Sequence, residues 1–580
     1  MIRKISDPIK LGLMCVFVCL IGILGVWLIY AQGDDPQPTD DPVSAVDIGF
    51  IPTYYEHVRP ILQAACTSCH VSGEIGYDHF SVEDDALIIA SAEDIAFLTS
   101  TGYMPPFPPG PESPHYLYDR SLSEDQIAII AAWAEAGAAV GDPTTVTPVQ
   151  PMTAAPDVRP DVVLQQEEPY AVNMEREDDY RCFLLDPQFV QDTYITSYDV
   201  IPGNTNIVHH TILFPGMPEQ RTQAESRNAL DDVPGWECYG GSGLEANVQF
   251  NAEQLRRFRP LLDEVGGFEG FYRLLQADDA AEQLAAALAI VDETGELGVL
   301  VEAAGGMEAF IGILRRYIGE DGLVAPQQTG GIIGGWVPGT TPTHFPTGTG
   351  MLIPAGGFIV MQMHYHPGSE PESDQTQLVM QLETNDEFQA LRTVAIVAPV
   401  EIPCLADVEG EQCSREYAMR NVAGRRSDGL LGLCDQTLSD FANQDAANAI
   451  GSCDYVAPIS GWGIAILSHQ HTLGATTRTV LHPDTPDQQV LIDIPDWDFD
   501  WQGNYFFVEP IWINQGDVIR ITCTWDNSLS EDNPEPRYVI WGEGTEDEMC
   551  LNYLTVLPAA PGTPPPVNVT GLVSASSGNE

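Results

Sequence analysis

Cys66-Thr-Ser-Cys69-His70 sets two thiols one helical turn apart, with an imidazole directly after the second. The spacing matches the C-x-x-C-H pattern of covalent haem attachment, in which the thiols add to two vinyl groups and the imidazole reaches the iron. A disulfide or half of a zinc site would use the same cysteines, but no second Cys pair at zinc-like spacing lies within 34–142. The other axial ligand should be a thioether or an imidazole. Met104, in Gly102-Tyr-Met-Pro-Pro-Phe107, is the first choice, with His79 and His115 as alternatives. A second set of residues is dispersed. His209-His210 lies in the apolar run Asn206–Phe214, His364 in Val360-Met-Gln-Met-His-Tyr365, and His469-Gln-His471 follows Gly463–Ser468. An i, i+2 pair on a strand puts both imidazoles on one face, a two-point metal clamp. His209 and His210 are adjacent and point to opposite faces of a flat strand, so sharing one metal requires a twist or different ring nitrogens. Met549 precedes Cys550, whose disulfide would fix it. His57, His344 and His482 sit in loop-like contexts and read as ordinary polar histidines.

The elements that must position these residues follow from periodicity. Residues 48–142 are largely helical and end in Leu122–Gly137, where Ser123 can cap a helix with apolar residues at helical spacing and Gly137 can stop it. After about 166 the texture becomes β, as in Phe358–Tyr365 and Val518–Trp525, with short runs between Gly and Pro, which predicts antiparallel sandwiches. Residues 252–319 show helical spacing and read as an insertion. The expected organisation is a membrane segment (1–33), a linker (34–47), a small all-α domain (48–142) and a second linker (143–165). Two antiparallel, jelly-roll-like β-sandwiches (166–397 and 398–558) and a disordered tail (559–580) complete it.

Composition bounds the setting. The chain has 580 residues, with 24 Lys+Arg against 84 Asp+Glu, a formal charge of −60. Such a surface repels phosphate backbones and makes nucleic acid a poor partner. Arg3, Lys4 and Lys10 precede the apolar run Leu11–Ala31, and Asp34, Asp35, Asp40 and Asp41 follow it. A run of that length can span a bilayer, and basic-before, acidic-after places the body outside the cytoplasm. An uncleaved anchor is favoured, because Ile29-Tyr30-Ala31 is a poor cleavage site; a cleaved signal peptide is the alternative. Of 12 Cys, Cys15 and Cys19 lie in the apolar run and Cys66 and Cys69 in the haem motif. Eight remain, an even number that reads as disulfides of undetermined pairing in an exported chain.

Two resemblances sharpen this reading. Residues 48–142 resemble a small soluble cytochrome c domain, with the Cys66–His70 motif near the start, the Met104-Pro loop and a terminal helix with an aromatic. Residues from about 166 to 557, roughly two-thirds of the chain, resemble the copper type II, ascorbate-dependent monooxygenases. These include peptidylglycine α-hydroxylating monooxygenase and dopamine β-monooxygenase. The resemblance rests on the order His209-His-Thr-Ile-Leu-Phe214, Gln362-Met-His-Tyr365, His469-x-His471-x-Leu-Gly474, Gly516-Asp517 and Glu548-Met-Cys550. It implies that His209, His210 and His364 hold an electron-storing copper and that His469, His471 and Met549 hold an O₂-binding copper. It also implies pairing of Cys182 with Cys238 and of Cys523 with Cys550, leaving Cys404, Cys413, Cys434 and Cys453 with three possible arrangements. Leu467 and Leu551 replace the Arg and Asn with which the peptide-hydroxylating enzyme meets its substrate, whereas Tyr553 matches its substrate-side Tyr. A peptidylglycine substrate is therefore not expected, and the leucines point to a neutral one. The expectation is an extracytoplasmic monooxygenase that uses O₂, two coppers and one covalent haem c to hydroxylate a small molecule. Electrons would come from the fused haem, an ascorbate-like reductant or a redox partner protein. The competing expectation is an electron-transfer or copper-binding protein without oxygenase activity.

Overall fold

The computed structural model describes most of residues 48–568, and within 245–330 only scattered residues and the helix Ala280–Val291. The apolar run 11–31 and the linker 34–47 lie outside the described residues, among which no helix is long and apolar enough to cross a membrane. The N-terminal region is helical, with Arg59–Ala65, Asp85–Ala90, Ala92–Ser100 and Glu124–Glu135 around Tyr54, Leu62, Ile88, Ile130 and Trp133. Ser123 caps the last helix in a reciprocal box with Gln126, and Gly137 at φ +82° turns the chain out of it.

The rest is mostly β-sheet, in two pairs of sheets. In the first pair, a five-stranded sheet runs Trp236–Glu237, Asp179–Leu185, Phe358–Tyr365, Val208–Gly216, Gly334–Trp336. A six-stranded sheet built around Thr193–Ile201 and Gln377–Glu383 packs on it. Strand Phe358–Tyr365 is buried along its whole length. Its odd positions, Ile359, Met361 and Met363, enter the core between these sheets, while Phe358 and Val360 enter a core shared with the second pair. Period-two alternation therefore puts Gln362 and His364 on the face toward the second pair. That second pair comprises Arg392–Val397, Leu551–Pro558, Gly461–His469, Asn504–Ile513 and, opposite, Ala449–Val456, Val518–Trp525, Gly474–Leu481, Gln489–Ile494.

Boundaries differ from the sequence expectation in three places. Strand Val162–Gln165, inside the stretch read as a linker, pairs with Gln377–Met380. Its alternation spans only four residues in a Pro- and Asp-rich context and was too short to register. Strand Arg392–Val397 pairs with Leu551–Val556 and so belongs to the second sandwich, not the first. The stretch 559–568 is fastened rather than disordered: Trp462 Nε1 donates to the Thr563 carbonyl at 3.1 Å and Thr347 N–H to the Val567 carbonyl at 2.8 Å. In the 252–319 stretch, the helix Ala280–Val291 has a small core of its own. Disulfides join Cys182–Cys238, Cys404–Cys413, Cys434–Cys453 and Cys523–Cys550, the first and last as the resemblance implied.

Candidate metal centres in a cleft between the sandwiches

Strands Val208–Gly216 and Phe358–Tyr365 place His210 directly opposite His364. One residue on, the register shifts, so that Tyr365 faces Val208 and His209 has no partner. This bulge is the twist that two adjacent histidines need to reach the same side. The Nδ1 atoms of His209 and His210 lie 3.1 Å apart and those of His210 and His364 3.3 Å apart, and one ring nitrogen from each of the three lies within 4.8 Å of the others. His364 is 1% exposed, and its Nε2 sits 2.8 Å from Asp178 Oδ1, which holds Nδ1 toward the cluster. The other Asp178 oxygen accepts from Thr545 N–H at 3.1 Å, tying the first sandwich to the loop that carries Met549. Burial alone would raise the Asp178 carboxyl; hydrogen bonds from His364 and Thr545 hold it well below the usual range. Burial lowers His364 and takes His209 down to about 3, so the imidazoles stay neutral and ready to bind a metal.

Across the cleft, His469 ends strand Gly461–His469 and His471 follows two residues on, their rings 5.0 Å apart. His469 Nδ1 lies 2.6 Å from Gln502 Oε1 and His471 Nδ1 3.1 Å from the Asp547 carbonyl. Each ring thus donates from Nδ1 and leaves Nε2 as the ligand atom. Burial takes His469 down to about 4 and His471 to about 3. Glu548, fully buried, accepts from the N–H groups of His471 (2.9 Å), Leu473 (2.7 Å) and Met549 (3.1 Å) and from Trp525 Nε1 (3.0 Å). One carboxylate therefore sets the backbone of two of the three expected ligands, and Cys523–Cys550 pins the residue after Met549. Burial pushes the Glu548 carboxyl up to about 8 against these four donors.

The two sets face each other. The His210 and His469 rings are 6.2 Å apart, and Phe499 stacks on His209 at 4.8 Å and lies 6.0 Å from His471. A cavity of about 150 Å³ opens beside them, lined by His210, His469, His471 and Met549 and also by Leu467, Leu551 and Tyr553. A copper ion suits both donor sets: imidazoles tolerate both of its oxidation states, and a thioether favours the reduced one.

In the N-terminal domain, Cys66 and Cys69 are free thiols, and His70 N–H bonds back to the Cys66 carbonyl at 2.9 Å. His70 Nδ1 lies 3.0 Å from the Gly76 carbonyl and 2.9 Å from that of Phe80, leaving Nε2 for an iron. A Cβ on Gly76 would stand 2.7 Å from that Nδ1, so glycine permits the close approach. These residues fit a covalently held haem. Met104 is half-buried, its N–H bonded to the Leu98 carbonyl at 3.0 Å; His79 and His115 are exposed. His57, His344 and His482 have protein partners: Thr53 N–H, Ser197 with the Pro156 carbonyl, and Asp517.

Sequence reasoning missed Asp178, Gln502 and Phe499, which carry no local signature. Glu548 was visible only as context for Met549.

Residues 440–563 match the family of the copper type II ascorbate-dependent monooxygenase, C-terminal domain. The match contains His469, His471 and Met549 and most of the second sandwich, from strand Ala449–Val456 to strand Leu551–Pro558. The helical domain and the first sandwich lie outside the match. No curated protein matches the chain.

Proposed function

We propose that this protein is an exported, membrane-anchored copper monooxygenase that hydroxylates a C–H bond of a small substrate. The observation that carries the proposal is the meeting of a three-histidine cluster and the His469/His471/Met549 set at one cavity, the latter inside the matched domain. The reaction is R–H + O₂ + 2 e⁻ + 2 H⁺ → R–OH + H₂O. Copper bound at these residues supplies one-electron chemistry and, when reduced, a site for O₂. The chain's own groups do the rest. Asp178, Gln502 and the Asp547 carbonyl orient the imidazoles, Glu548 fixes the His471–Met549 frame, and Leu467, Leu551 and Tyr553 border the substrate.

A domain that consumes single electrons is fused to one whose Cys66, Cys69 and His70 fit a covalent haem, with Met104 as the second axial ligand. The fusion makes that haem the electron source, in the place where the matched family uses ascorbate. Four disulfides agree with an oxidising, extracytoplasmic compartment, and the run 11–31 supplies the anchor.

The test uses the full chain, loaded with copper, reduced without oxygen and then exposed to air while the haem band is followed. Fast reoxidation that requires copper and is lost in His469→Ala supports the proposal. Slow reoxidation indifferent to copper refutes the haem-to-copper link and favours a small reductant or a protein without oxygenase activity.

A further inference from the structure

The cleft is bounded partly by residues that precede both sandwiches. Segment 107–120 lies between the helices Ala92–Ser100 and Glu124–Glu135 of the N-terminal domain, yet it runs along the edge strand Asn504–Ile513 of the second sandwich. Leu117 N–H donates to the Phe506 carbonyl at 2.8 Å, Val508 N–H to the His115 carbonyl at 3.0 Å, and Tyr116 pairs antiparallel with Phe507. Gly110 N–H and Ser113 Oγ reach the Asp493 carbonyl at 2.8 and 2.9 Å, Tyr116 Oη the Leu491 carbonyl at 2.7 Å, and Glu112 pairs with Arg478 at 2.6 Å. Rings lock the contact: Tyr116 is 5.3 Å from Tyr505, and Phe107 meets Tyr505 edge-on at 5.7 Å. This is an isolated antiparallel bridge at Tyr116, flanked by loop backbone, which covers part of an edge that would otherwise be open. From it, Phe107, Leu117 and Arg120 line the same cavity as His469 and Met549.

We infer that segment 107–120 is a wall of the substrate cleft that sets which substrates enter, and that the cleft so closed takes a small, uncharged, largely apolar molecule. The inference rests on the cleft being the substrate site proposed above. Size argues for a small occupant, since the part-open cavity of about 150 Å³, lined mainly by apolar groups with His, Gln and Thr among them, is close in volume to one that holds benzene. Charge argues for an uncharged one. The ionisable side chains of the lining other than histidine and tyrosine are Arg120 and Glu543, of opposite sign, so the lining carries no net charge to receive an ion. In the copper-free cleft an ionic molecule would lose its hydration without a net counter-charge from the protein. Phe107 ties selection to the N-terminal domain, because its ring both packs on Tyr505 and faces the cavity.

The test is titration calorimetry on the copper-free full chain with benzyl alcohol, benzoate and benzylammonium as probes. Benzyl alcohol should bind at least tenfold more tightly than either ion. Phe107→Ala should shift preference toward 2-naphthalenemethanol over benzyl alcohol by at least fivefold, and Phe107→Leu, which keeps apolar packing on Tyr505, should shift it the same way to a smaller degree. Equal binding of the three probes, no binding of benzyl alcohol, or an unchanged size preference in the Phe107→Leu protein would overturn the inference. Because no copper is present, failure of the oxygenase reading would appear in the reoxidation experiment and leave this result intact.

Discussion

Replacing Glu548 by Gln is the most direct probe of how the second centre is held. Glu548 Oε2 accepts from His471 N–H, Met549 N–H and Trp525 Nε1, and Oε1 from Leu473 N–H. In Glu548→Gln the amide oxygen can keep the three bonds at the first position, each weakened by roughly 0.5–1 kcal/mol for loss of charge assistance. The amide NH₂ then faces Leu473 N–H, and an orphaned buried donor costs roughly 1–3 kcal/mol. The comparison is made at pH 9, above the raised carboxyl value of about 8, where the wild-type group is ionised and relief from burying its charge offsets part of this. The net expectation is a loss of about 2 kcal/mol in stability, read as the guanidinium midpoint at constant slope. The backbone of His471 and Met549 loosens with it, so affinity for Cu(I) at the second centre should fall 10- to 100-fold, as for other losses of ligand support. Competition with bathocuproine disulfonate, in a His209→Ala background so that only this centre is titrated, reads that fall. An unchanged chelator midpoint together with a stability change below about 0.5 kcal/mol would refute the idea that Glu548 frames the site.

Three further expectations follow from the same geometry. His471, 3% exposed, falls from 6.5 to about 3 on folding, so below pH 6.5 the unfolded chain binds a proton that the native state refuses. The copper-free protein should therefore lose stability progressively from pH 6.5 down to about 3, with roughly 3 kcal/mol from this residue gone at pH 4.5, and His471→Asn should flatten the pH dependence of its urea midpoint. Asp178→Ala should weaken copper at the three-histidine cluster 10- to 100-fold, as measured by chelator competition, while leaving the His469/His471/Met549 centre within about threefold. The Cys523–Cys550 bridge closes a separation of 27 residues, so the Cys523→Ser/Cys550→Ser double variant should lose about 3.5 kcal/mol on the chain-entropy account, with a matching drop in thermal midpoint.

Sequence and structure agree where a residue's type and its local period carry the information. The i, i+2 spacing of His469 and His471 foretold their meeting, and the two rings do lie 5.0 Å apart, although the strand itself ends at His469. The Ser123 cap is equally local. His209-His210 is the instructive intermediate case. The requirement for a twist was legible, but the bulge that supplies it depends on the register with His364, which only the assembled sheet defines. Beyond that lies what pairing across long separations decides. Asp178 sits in an acidic run like many others, and its role comes from meeting both His364 and Thr545. Segment 107–120 lies inside the stretch read as largely helical, and nothing local marks it as backbone that bridges to a sheet edge almost four hundred residues away. That contact alters the meaning of the fusion. A helical domain held by backbone hydrogen bonds and aromatic packing at the rim of the cleft is not a carrier on a free tether. Its loop borders the same cavity as His469 and Met549, so under the proposed function the helical domain would help bound the cleft in which the substrate sits.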